Sequence, residues 1–270
     1  MIHGPARSGN PPVMSHRAGS PPYVRHDRVG SASVRSVGSA RLDEGEGDGG
    51  PLVLVPGLGA PGYLLRTGAR CARSGAVRVL DVPGFGDPSG PACPETLEGL
   101  ADLVARWLAV VPDGPVVLAG HSTGAQVALH AALRRPERVR ALVLLAPTFP
   151  PRLRRVRPLL AAFARTAVHE SPGVVPTLLP SYLAAGPRRL AICVRSAQTD
   201  APEDVIASVS CPVTVVTGEN DALCPPDWTR ELARRAEEGR AVRMPGAHAF
   251  PYTHPAATAA LLARVPGRSR

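Results

Sequence analysis

One serine of this chain stands where its hydroxyl could act as a nucleophile. Residues 120–124 read Gly120-His121-Ser122-Thr123-Gly124. The apolar run 116–119 precedes them, and a helix-like segment, 125–133, follows. A G-x-S-x-G sequence between a strand and a helix forms a turn so sharp that the serine hydroxyl projects from the edge of the sheet. Ser122 is therefore the candidate nucleophile.

A serine hydroxyl is a weak nucleophile until a base, usually a histidine oriented by a carboxylate, takes its proton. In chains with this turn, the acid and then the histidine follow the serine, each in a loop after a strand. Asp221 comes just after the apolar run 213–217 and is the candidate acid, with Glu219 as its local rival. Asp200 and Asp204 lie before that strand and fit less well.

The candidate base is His248, which follows the last predicted strand, 241–244, and precedes the final predicted helix. His254 is its rival, but the proline that follows His254 indicates the start of a helix. His121 neighbours Ser122 in sequence, yet the geometry of the turn sends consecutive side chains in different directions.

Attack on a carbonyl group places negative charge on its oxygen, which needs hydrogen-bond donors. The backbone N–H of Thr123, directly after the serine, is one candidate donor. The second donor should come from the loop after an early strand. Residues 56–59, Pro-Gly-Leu-Gly, follow the apolar run 52–55, so the N–H of Leu58 is the second candidate. A simple Pro-Gly turn explains these glycines equally well.

Buried runs alternate with helical patterns along most of the chain. Strands are predicted at 52–55, 77–80, 116–119, 141–145, 213–217 and 241–244. Helices are predicted at 94–111, 125–133, 226–238 and 255–265. Residues 23–37 alternate weakly and predict two short antiparallel strands. The pattern indicates βαβ units and an α/β fold with a mostly parallel sheet and helices on both faces.

The alternation breaks between residues 148 and 209, where helical pieces and prolines occur without a clear strand. An insertion of this size between two core strands predicts a helical cap, placed after the strand that ends near Leu145. Residues 1–21 are rich in Pro, Gly, Ser and Arg and are expected to be disordered. The predicted core then comprises residues 22–147 and 210–270.

Composition narrows the class of protein. The chain has 270 residues, of which 44% are hydrophobic, as in a soluble globular protein. Its net charge of +9 comes entirely from arginine, and with 4% aromatic residues and no recognition motif we expect no nucleic-acid partner. No membrane span, secretory signal or C-x-x-C pair is present, which predicts a cytoplasmic protein. We expect neither a metal nor a cofactor, and the oligomeric state stays open.

These motifs together resemble the α/β-hydrolase superfamily, from about Leu52 to the last helix. Residues 81–86, Asp-Val-Pro-Gly-Phe-Gly, are similar to its D-x-P-G-F-G turn, and residues 218–221 and 246–248 look like its acid and base loops. Many members carry His-Gly at the oxyanion loop, whereas this chain has Pro56-Gly57. A serine rather than an aspartate nucleophile implies the serine branch of the superfamily, with a helical cap.

The leading hypothesis is a serine hydrolase that cleaves an ester, lactone or related acyl bond of a small molecule. In this hypothesis Ser122 attacks, His248 shuttles the proton and Asp221 orients the histidine. The N–H groups of Leu58 and Thr123 hold the oxyanion. One alternative uses the same triad for C–C bond hydrolysis or cofactor-free peroxidase chemistry, and another is a non-catalytic ligand-binding protein of the same fold.

Arginines open the predicted cap, at Arg152, Arg154, Arg155 and Arg157. The simpler interpretation is a solvated helix face, because arginine is the only basic residue type in the chain besides histidine. The alternative is attraction of an anionic substrate or of a membrane surface.

Overall fold

The computed structural model describes residues 23–38, 51–82 and 95–265. The predicted disorder of residues 1–21 and most of the motif at 81–86 lie outside these residues.

Within the described ranges, eight strands form one sheet in the spatial order β1-β2-β4-β3-β5-β6-β7-β8. The strands are Tyr23–Val29 (β1), Ala32–Gly38 (β2), Leu52–Val55 (β3), Val77–Asp81 (β4), Val116–His121 (β5), Val139–Leu145 (β6), Val213–Gly218 (β7) and Gly239–Met244 (β8). β1 and β2 form an antiparallel pair, β2 runs antiparallel to β4, and all other neighbours are parallel. The mostly parallel α/β fold is thereby confirmed.

The strands at the centre of the sheet are continuous apolar runs because both of their faces are buried. Every residue of β3, β5 and β7 is buried, so both faces of the sheet are covered there. At the edge, β8 leaves most of its residues exposed. β6 begins two residues earlier than predicted, because Val139 pairs with Val116 although the charged Arg140 interrupts the apolar run.

Nine α-helices occur in the described residues. They are Leu65–Cys71 (α1), Leu97–Val110 (α2), Thr123–Arg134 (α3), Val156–Ala167 (α4), Val175–Thr199 (α5), Pro202–Val205 (α6), Pro226–Arg235 (α7), Phe250–Thr253 (α8) and Pro255–Ala263 (α9). Short 3-10 turns lie at Gly57–Gly59, Gly62–Leu64, Ala72–Ser74, Pro136–Arg138, Pro151–Leu153, Pro172–Val174 and Ile206–Ser208. Helix α5 is interrupted at Gly186, which has φ of 75°.

The sequence pattern did not predict α1 or α8. Helix α1 lacks an apolar stripe, and it packs closely on β4 because Gly68 has no side chain. A Cβ at Gly68 would lie 2.9 Å from Cγ2 of Val79. Helices α7 and α9 end at Arg235 and Ala263, a few residues before their predicted ends.

Residues 148–209, called here the helical segment, contain helices and no strand, and all of them are described. Hydrogen bonds join this segment to the rest of the fold. Gln126 Nε2 donates to the Ala197 carbonyl (3.0 Å), and the Ala222 N–H donates to Thr166 Oγ1 (3.0 Å). That the segment covers a functional site as a cap stays a prediction.

Candidate active site

Backbone strain marks one edge of the sheet. Four non-glycine residues among those described have positive φ: Leu58, Ser122, Ala146 and Phe149. Each of them follows the carboxyl end of β3, β5 or β6. Such conformations cost about 1–3 kcal/mol each and concentrate at functional sites, because the surrounding structure must hold them in place. The candidate site lies at this edge, where loops after parallel strands converge.

Ser122 occupies the turn between β5 and α3, with φ of 57° and ψ of −127°. Its N–H donates to the Leu145 carbonyl at 2.9 Å, which fixes the turn to the neighbouring strand. The glycines on either side are required by close approach. A Cβ at Gly120 would overlap the Gly124 carbonyl, and a Cβ at Gly124 would overlap the Pro56 carbonyl. The G-x-S-x-G sequence thus forms the sharp strand–turn–helix that it predicts.

Three side chains predicted from the sequence lie in one line of hydrogen bonds. His248 Nε2 is 2.9 Å from Ser122 Oγ, and His248 Nδ1 is 2.7 Å from Asp221 Oδ2. The other carboxylate oxygen, Oδ1, accepts from the N–H groups of Leu223 (2.9 Å) and Cys224 (3.1 Å). An ionised carboxylate only accepts hydrogen bonds, so Nδ1 carries the proton and Nε2 is left to accept from the serine hydroxyl.

Electrostatics favour the charged form of His248. Burial by itself disfavours the imidazolium and would lower the pKa. The charge and hydrogen bond of Asp221 and the charge of Glu170 outweigh burial, so the pKa of His248 is raised above the ordinary histidine value of 6.5. The site is therefore arranged to stabilise a proton on His248 when the serine releases one.

The rival acids and base lie elsewhere. The Glu219 side chain is exposed. Asp200 accepts hydrogen bonds from Gln126 Nε2 (2.9 Å) and pairs with His130 Nε2 (2.7 Å), which gives it a structural role. His254 Nδ1 contacts the hydroxyl of its neighbour in sequence. The structure does not bring any of these three candidates to the serine hydroxyl.

The two candidate oxyanion donors are adjacent, with one unforeseen contact. The Leu58 N–H donates to Thr123 Oγ1 at 2.8 Å, so in this structure the threonine side chain occupies it. The Thr123 N–H is in the first turn of α3, where N–H groups have no intrahelical acceptor, and no described residue accepts from it. The helix dipole favours negative charge at the same position.

A second line of hydrogen bonds runs behind the serine, through residues that the sequence reasoning missed or set aside. The Gly57 N–H donates to Tyr63 Oη (2.8 Å), and Tyr63 Oη lies 2.6 Å from His121 Nδ1. His121 Nε2 lies 2.9 Å from the His248 carbonyl oxygen. Because an N–H begins this line and a carbonyl ends it, only one placement of protons satisfies it: Tyr63 donates to Nδ1, and Nε2–H donates to the carbonyl.

Burial supports that assignment of protons. Burial, helped by the charge of His248, lowers the pKa of His121 to about 3, so its ring is neutral near neutral pH. Burial also raises the pKa of the Tyr63 hydroxyl, which keeps its proton. His121 thereby joins the oxyanion loop to the loop that carries His248. The sequence contains no signal for this contact, because Tyr63 is distant from both histidines along the chain.

Glu170 links the helical segment to the base loop. Its Oε1 accepts from the Ala249 N–H at 2.8 Å, one residue after His248. Its Oε2 is buried and has no hydrogen-bond partner among the described residues.

The described residues contain no cluster of three or more His, Cys, Asp or Glu side chains placed to bind a metal ion. In the same part of the chain, every helix is too short or too polar to span a bilayer.

Comparison with known sequences identifies the family. The sequence model of the alpha/beta hydrolase family matches residues 52–261. The chain belongs to the alpha/beta hydrolase family, which confirms the resemblance and the fold class predicted from the motifs.

Curated relatives include pimeloyl-[acyl-carrier protein] methyl ester esterases of Neisseria meningitidis. The protein from a serogroup A strain is 30% identical over 211 residues, covering 68% of this chain and 66% of its own length. The protein from a serogroup C strain is also 30% identical over 211 residues, covering 68% of this chain and 80% of its own length. Among solved structures, a thermophilic esterase from Thermogutta terrifontis has a TM-score of 0.66 and 22% identity, covering 90% of this chain and 97% of that one. At this identity the likeness concerns the fold.

Proposed function

We propose that this protein is a serine hydrolase that cleaves carboxylic esters through an acyl-enzyme. One observation carries the proposal: the continuous hydrogen-bonded line from Ser122 Oγ through both ring nitrogens of His248 to the buried carboxylate of Asp221. This line joins a serine hydroxyl at the edge of the sheet, a histidine in the tautomer that can accept its proton, and a carboxylate that fixes that tautomer. The names of the Neisseria relatives, which are methyl ester esterases, support an ester as the substrate class.

The reaction has two balanced halves. Ser122 Oγ bonds to the ester carbonyl carbon while His248 Nε2 takes the hydroxyl proton. The carbon–oxygen bond to the alcohol then breaks, and the alcohol leaves with that proton. In the second half, His248 takes a proton from water, the water oxygen attacks the acyl-enzyme, and Ser122 recovers the proton as the acid departs.

The negative charge that develops on the carbonyl oxygen needs donors. The Thr123 N–H, at the start of α3, is the first. The Leu58 N–H is the second, and in the resting protein the Thr123 hydroxyl holds it in position until an oxyanion, a stronger acceptor, arrives. We include in the proposal that the helical segment covers this site as a cap, with Glu170 as its contact to the base loop.

The direct test of the proposal compares two substrate classes on the purified full-length protein. Turnover of p-nitrophenyl acyl esters, with little turnover of a vinylogous diketone, is the expected result. The reverse preference would favour C–C bond hydrolysis with the same triad. Turnover of neither, without labelling by a fluorophosphonate, would favour a ligand-binding role.

The pH profile of kcat/KM should show its acidic limb above pH 6.5. His248 must be neutral to accept the serine proton, and its raised pKa means that activity grows as pH rises through that value. Glu170→Gln keeps an acceptor oxygen for the Ala249 N–H but removes a charge that raises the pKa, so the limb should move to lower pH. A limb at or below the ordinary histidine value in the unmodified protein would show that the charges of Asp221 and Glu170 do not outweigh burial at His248.

Tyr63→Phe should lower kcat by about tenfold with little change in KM. The substitution removes the hydroxyl that connects Gly57 to His121, and a buried group left without its partner costs about 1–3 kcal/mol. The lost hydrogen bonds should change the position of the His248 loop, and therefore kcat, without changing substrate binding. Tyr252→Phe is the matched control, because Tyr252 is also buried and its hydroxyl has no hydrogen bond to a described residue. Equal effects of the two substitutions on kcat would show that the hydrogen-bonded line does not position the base.

A further inference from the structure

Most of the large apolar side chains exposed in the described part of the chain lie on the helical segment. Of ten such side chains among the described residues, seven fall between residues 156 and 183. They are Val156, Leu160, Phe163, Val168, Val175, Leu179 and Leu183. The three that lie on α4, Val156, Leu160 and Phe163, are called here the apolar face. Exposed apolar residues scattered singly need no explanation, whereas a concentration of this kind marks an interaction surface.

Helix α4 shows how unusual this arrangement is. Val156, Leu160 and Phe163 are spaced i, i+4 and i+7, so they lie along one side of the helix. An amphipathic helix ordinarily turns such a stripe to the core. Here α4 buries the small residues Ala162 and Thr166 instead, and Phe163 stays 61% exposed. A spacing of four recurs among the exposed residues in the first part of α5.

The charge around the apolar face is strongly positive. Residues 151–199 contain eight arginines and one acidic residue, Glu170. Four of these arginines pair with carboxylates of other elements: Arg152, Arg154, Arg188 and Arg189. Arg155 directly precedes α4, and Arg157 and Arg165 lie in its first and last turns. All three are exposed and form no ion pair with a described residue. An apolar stripe bordered by unpaired arginines is typical of helices that lie in the interface of an anionic bilayer.

We propose that the apolar face docks on an anionic lipid surface. The arginines at the two ends of α4 contact lipid headgroups, and the stripe of α4 enters the boundary between headgroups and acyl chains. Charge complementarity argues against a second copy of the chain as the occupant. A two-fold interface through this face would place two copies of the same positively charged patch in one interface.

One hydrogen bond links the candidate active site to the helical segment that carries this surface. Glu170 lies in the connection between α4, which carries the apolar face, and α5, and it accepts from the Ala249 N–H beside His248. Docking would therefore hold the base loop near the lipid, and esters dissolved in that lipid would be the substrate class. That consequence rests on the proposed hydrolase function, whereas the docking itself does not.

Vesicle co-sedimentation of the full-length Ser122→Ala protein tests the docking separately from hydrolysis. We expect binding to vesicles of equimolar phosphatidylcholine and phosphatidylglycerol, and much weaker binding to phosphatidylcholine alone. Binding should fall as salt is added, because the Debye length shrinks from about 10 Å at 0.1 M to about 3 Å at 1 M.

A pair of substitutions on the apolar face has a matched control elsewhere in the chain. Leu160→Ser with Phe163→Ser should weaken vesicle binding by about tenfold or more per side chain, because each loses its apolar burial in the lipid. Val24→Ser with Val110→Ser is the control, because Val110 is as exposed, at 64%, but lies on α2. This control pair should bind as the parent does.

The substitutions of two arginines next to the apolar face also have a matched control. Arg155→Ser with Arg157→Ser should weaken binding by about fivefold per arginine. Arg73→Ser with Arg240→Ser removes two exposed arginines from other elements and should weaken binding much less. All of these side chains are exposed, so the melting temperature should not change.

Three results would overturn the proposal. One is absence of binding to anionic vesicles by the parent protein. Another is binding that is equal on neutral and anionic vesicles, or equal in the face and control variants. The third is a concentration-dependent dimer that Leu160→Ser with Phe163→Ser abolishes, since the face would then be an interface between copies of the chain.

Discussion

Ser122→Ala should abolish ester hydrolysis while leaving the fold intact. The substitution removes only Oγ, the atom 2.9 Å from His248 Nε2, and alanine meets the same backbone strain at φ of 57° as serine does. Removing the nucleophile of a serine triad lowers kcat by about 10⁴–10⁶-fold, because neither the base nor the acid can act without it. The measurement is the initial rate on a p-nitrophenyl ester at saturating substrate, together with the melting temperature.

The matched control is Ser210→Ala, since Ser210 is exposed and lies outside the site. Its activity should equal that of the parent. If Ser122→Ala retains activity within tenfold of the parent, an acyl-enzyme on this serine is excluded.

Asp221→Asn should lower kcat by up to about 10⁴-fold. The amide has the shape of the carboxylate, and its oxygen can still accept from the N–H groups of Leu223 and Cys224. Its NH₂ group would then face His248 Nδ1 and favour the tautomer with the proton on Nε2. That tautomer cannot take the proton of Ser122.

Two conservative substitutions serve as controls for the acid. Asp200→Asn and Glu219→Gln should change kcat only by a few fold, because neither side chain contacts the serine–histidine pair. If Glu219→Gln is severe and Asp221→Asn is mild, the acid is Glu219 and the assignment is wrong.

The sequence pattern was sufficient to predict that the three triad candidates lie close together. Loops after neighbouring parallel strands meet at the same edge of a sheet, so a residue's position just after a strand largely determines where it lies. Ser122, Asp221 and His248 each satisfy that condition, after β5, β7 and β8. Their functional roles remain proposals, although their distances now fit those roles.

Contacts between distant side chains could not be read from local patterns. The line from Tyr63 through His121 to the His248 carbonyl depends on how three separate loops pack. The same is true of the bond from the Leu58 N–H to the Thr123 hydroxyl. The side of α4 that faces the solvent also could not be predicted, because periodicity identifies an apolar stripe without saying whether it faces the core or the solvent.

Labelling with a fluorophosphonate, followed by mass spectrometry of the peptides, tests the proposed mechanism most directly. The probe phosphonylates a serine only where a base has activated its hydroxyl. The proposal predicts one adduct, on Ser122, formed rapidly in the parent protein, slowly in Asp221→Asn and not at all in Ser122→Ala. An adduct on another residue, or no adduct on protein that hydrolyses esters, would contradict it.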